Sequence, residues 1–329
     1  MNPLSTPITI GKLSLKNCLV MPPMATSNAT DSGAVTRRLC DYYDEKSAGG
    51  YIGLIVTEHS YVSIEGKAGP GQVSIAQDDD VSGLSSLTEI IHKNGSKVMA
   101  QINHAGGAAK KEVTGRDALG ASAAEMPKSG VKPREMSAQD IAKVIDDFAA
   151  AAVRAKKAGF DAVEIHSAHG YLLNQFYSPL TNKRTDSYSG STLSGRIKLH
   201  LEVIRAIRRA VGADYPIALR LGACDYTAGG TTKEDSVLAA KEFERAGVDF
   251  LDISGGFCGF TNPNSNAQGY FAELTEAIKA SVSIPVILTG GITDAAAANS
   301  LLTDGKADLI GVGRAILKDR QWAARAMMA

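Results

Sequence analysis

The chain has 329 residues, of which 44% are hydrophobic and 21% are charged, which is the composition of a globular protein with a large core. Its 35 basic residues balance its 35 acidic residues, so there is no positive excess of the kind that favours binding to nucleic acid. The sequence contains no apolar stretch of membrane-spanning length and no secretory pattern at the N-terminus, so we expect neither membrane insertion nor secretion.

Short apolar runs alternate along the chain with longer stretches of helical pattern. In order, the runs are 18–21, 51–56, 97–102, 161–165, 216–221, 249–253, 285–289 and 308–312. Fully apolar runs of this length are typical of strands that are buried on both faces, as in a parallel sheet. Helical patterns lie at 81–95, 137–160, 231–248 and 293–307, and the first two stop at or near a glycine.

This repeated strand–helix unit predicts an α/β fold, a (β/α)8 (TIM) barrel formed by residues 1–329 as a single domain. The alternative is an open doubly wound sheet, but no GxGxxG sequence follows the first strand. The stretches 103–136 and 171–195 are long for strand–helix connections. We therefore expect them to cover the C-terminal face, where barrel enzymes have their active sites.

Polar side chains collect where the predicted strands end. They include Thr57, Glu58, His59, Gln101, Asn103, His104, His166, Arg220, Asp252 and Ser254. A glutamine can both donate and accept hydrogen bonds, so Gln101 could bind the edge of a heterocycle. An arginine at the end of an inward-facing strand needs a polar or anionic partner, so Arg220 could bind a ligand or form an ion pair with Asp252 or Glu164.

Glycines follow the last two strands, at Gly290, Gly291 and Gly313, and Arg314 comes next. Glycines let backbone N–H groups approach an anion, and the loops after strands seven and eight of barrels commonly bind phosphate. These glycines could instead only form short turns. Two adjacent glycine turns and an arginine favour phosphate, and with the polar strand ends they predict a phosphorylated ring cofactor.

Two histidines and a tyrosine follow the fourth strand, at His166, His169 and Tyr171. His-x-x-His could bind a metal together with His59 or His104, but no carboxylate-rich ligand set accompanies it, so we predict no metal site. The histidines could also be core residues, and Tyr171 could only pack beneath the following loop. The four cysteines form no CxxC pair, which argues against structural zinc or an iron–sulfur cluster and suits a reduced, cytoplasmic protein.

Residues 166–191 read HSAHGYLLNQFYSPLTNKRTDSYSGS. This stretch closely resembles the most specific motif of the Old Yellow Enzyme family of FMN-dependent ene-reductases and NADH:flavin oxidoreductases. The resemblance also covers 17–26, 53–63, 100–107, 218–226 and 307–317. It therefore spans nearly the whole chain.

The resemblance implies a barrel with FMN at its C-terminal mouth and NADH or NADPH as reductant. The cofactor-binding residues that it implies are Pro22, Pro23, Met24, Ala25, His59, Gln101, Arg220, Ser254, Gly255, Gly290, Gly291, Gly313 and Arg314. Gln101 would bind the pyrimidine edge, Arg220 would lie near the N1/C2 region, and the last four residues would hold the phosphate. His166 and His169 would bond a substrate carbonyl, and Tyr171 would donate a proton.

The chain departs from the family pattern at Ala25, where many members have Cys or Thr that can hydrogen-bond near the flavin. We therefore expect a flavin reduction potential different from theirs. Some relatives carry a cysteine cluster for an iron–sulfur centre in a second domain, and this sequence has none. We accordingly expect electrons to arrive directly from the nicotinamide.

The leading hypothesis is an FMN-dependent NAD(P)H oxidoreductase that reduces activated C=C bonds of small molecules such as α,β-unsaturated carbonyls. One alternative is a flavin-independent barrel isomerase or lyase that binds phosphate. Another is an FMN reductase whose acceptor is a quinone or a nitro compound. Asn182, Arg184 and Asp186, in the loop after strand four, are interpreted as structural. The C-terminal segment 320–329 could pack against a second subunit in a homo-oligomer.

Overall fold

The computed structural model describes residues 2–127 and 129–328, and its centre is a closed barrel of eight parallel strands. They are β1 (Leu19–Met21), β2 (Leu54–Val56), β3 (Lys97–Asn103), β4 (Ala162–Ser167), β5 (Ile217–Gly222), β6 (Phe250–Ser254), β7 (Val286–Thr289) and β8 (Leu309–Gly311). Each strand pairs with the next, and β8 pairs with β1 to close the ring. Each predicted apolar run overlaps one of these strands, so the predicted (β/α)8 barrel is confirmed.

Helices connect the strands and surround the barrel. They are α1 (Arg37–Ser47), α2 (Asp80–Lys93), α3 (Lys111–Thr114), α4 (Ala138–Lys157), α5 (Leu172–Tyr177), α6 (Leu193–Val211), α7 (Lys233–Ala246), α8 (Ala272–Lys279), α9 (Ala295–Thr303), α10 (Arg314–Lys318) and α11 (Trp322–Met328). The four helices predicted from sequence correspond to α2, α4, α7 and α9 and are confirmed. Within residues 2–127 and 129–328, none of the helices combines the length and the apolar character needed to cross a bilayer.

Local sequence determines where the long helices begin and end. The Ser137 hydroxyl accepts a hydrogen bond from the backbone N–H of Asp140, whose carboxylate in turn accepts one from the Ser137 N–H, which starts α4. Thr232 and Asp235 form the same reciprocal pair at the start of α7. At the other end of α7, Gly247 has a φ of 108°, a left-handed conformation in which residues with a side chain are strained.

Side chains along each barrel strand alternate between the interior and the surrounding helices. On β4, Val163 and Ile165 belong to the large outer core, whereas Ala162 belongs to a separate inner cluster. A hairpin of strands Ile8–Ile10 and Leu13–Leu15 contributes to the same inner cluster. Lys12, in its turn, pairs with Asp214, which precedes β5, so the hairpin lies at the N-terminal end of the barrel.

The two long connections fold over the opposite, C-terminal end. Segment 103–136 contains α3 and two short paired strands, Leu119–Gly120 and Arg134–Glu135, and segment 171–195 contains α5. Arg184 joins them. Its guanidinium donates to the carbonyls of Ala121 and Met136 and pairs with the Asp186 carboxylate at 2.6 Å. The structural interpretation of Arg184 is therefore confirmed.

Arg184→Met should lower the free energy of unfolding by about 2 kcal/mol, because it leaves two buried carbonyls without their donors. Urea denaturation measures the loss. The neighbouring Lys183 is exposed, and Lys183→Met is the matched control with an expected change below about 0.5 kcal/mol. Equal stabilities of the two variants would contradict the bridging role of Arg184.

Candidate active site

A cavity of about 710 Å³ opens at the C-terminal ends of the strands. This volume is within the range of sites that hold small ligands or cofactors, roughly 300–1,000 Å³. All of the site residues predicted from sequence line it, with the exception of Gly255. The barrel brings them together because the C-terminal ends of all its strands meet at one face.

Gly255 lies behind the cavity wall. Its carbonyl accepts a hydrogen bond of 3.4 Å from the His169 backbone N–H. A Cβ atom at this position would approach the Cys258 sulfur and the Gly259 carbonyl oxygen to 2.3 Å. This glycine lets the turn after β6 pack against the turn after β4, and its cofactor-binding role stays a prediction.

The residues after β4 form one wall of the cavity. His166 is the penultimate residue of the strand, and His169 follows with a φ of 61°, which is uncommon for a residue with a side chain. Gly170, at a φ of 80°, donates its N–H to the Asn174 side chain, which secures the turn. This turn directs His166, His169 and Tyr171 to the same side.

The rings on this wall are close neighbours. The centroid of His166 is 5.2 Å from that of His169 and 5.1 Å from that of Tyr171, both in perpendicular arrangements. His59, from the segment after β2, lies 5.4 Å from Tyr171. His169 Nε2 is 2.8 Å from the Ser254 hydroxyl, which can orient the imidazole. The segment after β2 and the end of β4 therefore build one cluster of hydrogen-bonding rings.

Burial determines the charge of this cluster. It lowers the pKa of His166 well below the usual value, and the nearby His169 and Arg220 lower it further. Burial, followed by the charge of Arg220, lowers the pKa of His59 to about 4. Burial also raises the pKa of Tyr171. At neutral pH, His166 and His59 are therefore neutral and Tyr171 keeps its proton.

A layer of polar side chains forms the floor of the cavity. Gln101 donates from Nε2 to Glu164 at 2.7 Å, and Arg220 Nε is 3.3 Å from an Asp252 oxygen. Thr289 donates to the other Asp252 oxygen at 3.1 Å. Gln101, Arg220 and Thr289 line the cavity, whereas the two carboxyl groups lie beneath them. The suggested ion pair between Arg220 and Asp252 is thus present, and Arg220 still faces the cavity.

The far end of the cavity carries the glycine turns after β7 and β8. Arg314 is exposed and donates to the Tyr270 hydroxyl at 3.1 Å. A Cβ on Gly290 would meet the Tyr270 ring at 2.9 Å, so glycine is required for the turn to pack here. A positive side chain and small backbone turns at one end, with a polar floor in the middle, give the cavity two distinct binding regions.

Sequence reasoning missed several lining residues. They are Cys258, Gly259, Phe260, Thr261, Tyr270, Thr289, Ile292, Thr293, Gly311 and Leu317. Half of them belong to the segment after β6, and Phe260 lies at the mouth with 64% of its surface exposed. The only sequence signal for these residues was their position at or after the end of a strand, because every connection that follows a barrel strand approaches the same face.

The family model for the NADH:flavin oxidoreductase / NADH oxidase family matches residues 3–328. The chain belongs to this family. Its predicted likeness to the Old Yellow Enzymes is thereby confirmed, and FMN and NAD(P)H are the cofactors of the family. This membership argues against the flavin-independent isomerase or lyase.

Individual relatives give the same assignment. An NADH oxidase of Thermoanaerobacter brockii is 40% identical over 96% of this chain, and the chain spans about half, 49%, of that protein. An NADPH dehydrogenase of Bacillus subtilis is 37% identical, over 98% of this chain and 94% of its own length. Among solved structures, morphinone reductase in complex with tetrahydroNAD superposes with a TM-score of 0.84 at 26% identity, over 99% of this chain and 90% of that one.

The cavity of this family member fits FMN on chemical grounds. In the described part of the chain, His166 Nδ1 is buried without a hydrogen-bond partner, which is costly unless a ligand or water satisfies it. Gln101 adds an amide at the floor for the edge of a ring, and Arg314 adds an exposed guanidinium suited to a phosphate. The floor therefore offers polar groups for the ring of FMN, and the far end offers a positive group for its phosphate.

Proposed function

We propose that this protein is an FMN-dependent NAD(P)H oxidoreductase that reduces activated C=C bonds of small molecules, such as α,β-unsaturated carbonyl compounds. The observation that carries the proposal is the convergence of His166, His169 and Tyr171 on one wall, beside a floor that can hold a ring. Ene reduction requires polarisation of the acceptor and a proton, and this wall offers groups for both.

The proposed flavin contacts follow the two regions of the cavity. Gln101, Arg220 and His59 would contact the ring together with the backbone of 22–25, and the glycine turns with Arg314 would hold the phosphate. FMN, when bound, supplies the transfer of two electrons and a proton from the nicotinamide to an electron-poor carbon. Ala25 presents only a methyl group, so the chain has no side-chain hydrogen bond to offer there.

His166 and His169 would bind the carbonyl oxygen of the acceptor. Negative charge grows on this oxygen as the double bond is reduced, and two fixed donors stabilise it, as in an oxyanion hole. A neutral imidazole has one N–H donor, so His166 can donate at neutral pH without carrying charge. The contact between His169 and Ser254 holds the second imidazole in place.

Tyr171 would protonate the α-carbon of the acceptor. Its raised pKa keeps the hydroxyl protonated across the physiological range, as a general acid requires. Its ring packs against His166 and His59, which limits its movement. The acid is thereby held next to the site where the carbonyl would bind.

Reconstitution with FMN tests the proposal. The purified protein should bind one FMN and turn yellow, NADH or NADPH should bleach it without oxygen, and 2-cyclohexenone or a maleimide should restore the colour. Stopped-flow absorbance measures both half-reactions and gives the preference between the nicotinamides. A protein that refuses FMN would refute the proposal. Reoxidation only by quinones or nitro compounds would establish the alternative acceptor class.

The Thermoanaerobacter brockii relative is named an NADH oxidase, a name that does not specify an alkene as the acceptor. An acceptor that takes electrons without forming a carbon–hydrogen bond does not need Tyr171. A homo-oligomer is a separate proposal. It rests on segment 320–329, within which the side chain of Met328 is 75% exposed.

A further inference from the structure

The floor of the cavity contains more negative than positive charge. Glu164 and Asp252 are both buried, with at most 1% of their surfaces exposed, and Arg220 is the cation between them. With both acids ionised, these three groups would carry a net charge of minus one in a region removed from water. Such a charge is costly, and a buried cluster of this kind relieves it by retaining a proton.

The contacts show which acid keeps the proton. Asp252 has the Arg220 guanidinium at 3.3 Å and the Thr289 hydroxyl at 3.1 Å, and both favour its ionised form. In the described part of the chain, Glu164 accepts one hydrogen bond, from the amide of Gln101 at 2.7 Å. Its other oxygen, Oε1, is buried and has no hydrogen-bond partner among residues 2–127 and 129–328. An ionised carboxylate would leave that oxygen without any donor.

We propose that Glu164 is a proton-holding group beneath the FMN ring, neutral at physiological pH, which at higher pH releases its proton to solvent and regains it when the flavin is reduced. The inference rests on the proposed function in placing FMN above the floor. In the neutral form, the Arg220–Asp252 pair is balanced and the floor carries no net charge. In the ionised form, the floor opposes negative charge on the ring.

The groups around Glu164 agree with this assignment. Gln101 reaches it from β3, Arg220 from β5 and Asp252 from β6, while His166 lies on its own strand. Burial, followed by the charge of Asp252, raises the pKa of Glu164 to about 8, and Arg220 and Gln101 reduce the effect. Burial also raises the pKa of Asp252, against the effect of Arg220 and Thr289. His166, above the floor, is neutral and adds no charge.

The redox linkage follows from counting charges. Two-electron reduction of FMN to an anion brings two electrons and one proton into the ring. If Glu164 is already protonated, reduction of the flavin takes up no further proton. If the pH is high enough to ionise Glu164, the new negative charge above the floor raises its proton affinity, and Glu164 takes one further proton from solvent. Each two-electron reduction then consumes two protons, and no protein group is oxidised or reduced.

The midpoint potential of bound FMN, measured against pH, counts these protons. The wild-type protein should take up one proton per two electrons at neutral pH and two above the pKa of Glu164. Glu164→Gln keeps the shape and the contact with Gln101 but cannot ionise, so it should take up one proton throughout. Above the break, its potential should exceed that of the wild type. The surface variant Glu202→Gln is the control and should behave as wild type.

Three outcomes would overturn the inference. They are a break retained in Glu164→Gln, a wild-type protein with one proton throughout, and a break in the opposite direction, which would place the titrating proton on the flavin. Carbon-13 NMR of glutamate-labelled apoprotein provides an independent measurement. Burial also raises the pKa of Glu58, so two carboxyl resonances should titrate well above the ordinary glutamate range, and Glu164→Gln should remove one of them. Because it needs no FMN, this titration can succeed even if the proposed function fails, and its absence would refute the inference even if FMN binds.

Discussion

Replacing His166 and His169 together by alanine should weaken the binding of an enone or a phenol by about a hundredfold, since two hydrogen bonds of about 1.4 kcal/mol each are lost. The flavin should stay bound, because the proposed flavin contacts lie on the floor and at the glycine turns. Perturbation of the flavin absorbance during titration with a para-substituted phenol measures the affinity. A separate titration of the apoprotein with FMN, in the absence of phenol, measures whether the variant still binds the cofactor.

His92→Ala is the matched control for the double variant. His92 lies on α2 and pairs with Asp161 at 2.7 Å, away from the cavity, so its loss should leave phenol binding unchanged. Because burial keeps His166 neutral, this imidazole should not contribute any change in the wild-type affinity for a neutral enone between about pH 6 and 8. An unaltered affinity in the double variant would remove both histidines from the mechanism.

Tyr171→Phe should slow the reduction of an enone by roughly a hundredfold or more, because general acids typically contribute factors of about 10²–10⁴. Reduction of the flavin by NAD(P)H should keep its wild-type rate, since that half-reaction does not involve the acceptor's α-carbon. Anaerobic stopped-flow, with the two half-reactions recorded separately, gives both rates. A quinone, which needs no protonation at carbon, should reoxidise the variant at nearly the wild-type rate.

Tyr188→Phe serves as the control for this experiment. Tyr188 belongs to the same connection after β4, but its hydroxyl donates to Glu202, outside the cavity. Its removal should leave both half-reactions unchanged. Equal losses in the two half-reactions of Tyr171→Phe would show that Tyr171 supports the cavity rather than supplying a proton.

Local patterns in the sequence were sufficient to predict the barrel. Each strand is a short apolar run, and a strand buried on both faces must be apolar wherever it meets the inner cluster and the helices. The ends of helices could also be predicted, because a capping pair such as Ser137 and Asp140 forms within one turn. The site could be anticipated for a related reason, since residues at the ends of parallel strands meet at one face whatever their distance along the chain.

Contacts between side chains on different strands could not be predicted from local sequence, because the tertiary structure decides them. Gly255 directly follows Ser254, the lining residue that ends β6, yet the packing of two turns places Gly255 behind the wall. Glu164 sits within an apolar run, and nothing local distinguishes it from a strand residue that faces a helix. Strand register places it beside Gln101 and, across β5, near Asp252. Register and burial involve strands far apart in the chain, so the proton balance of the floor is a property of the folded barrel.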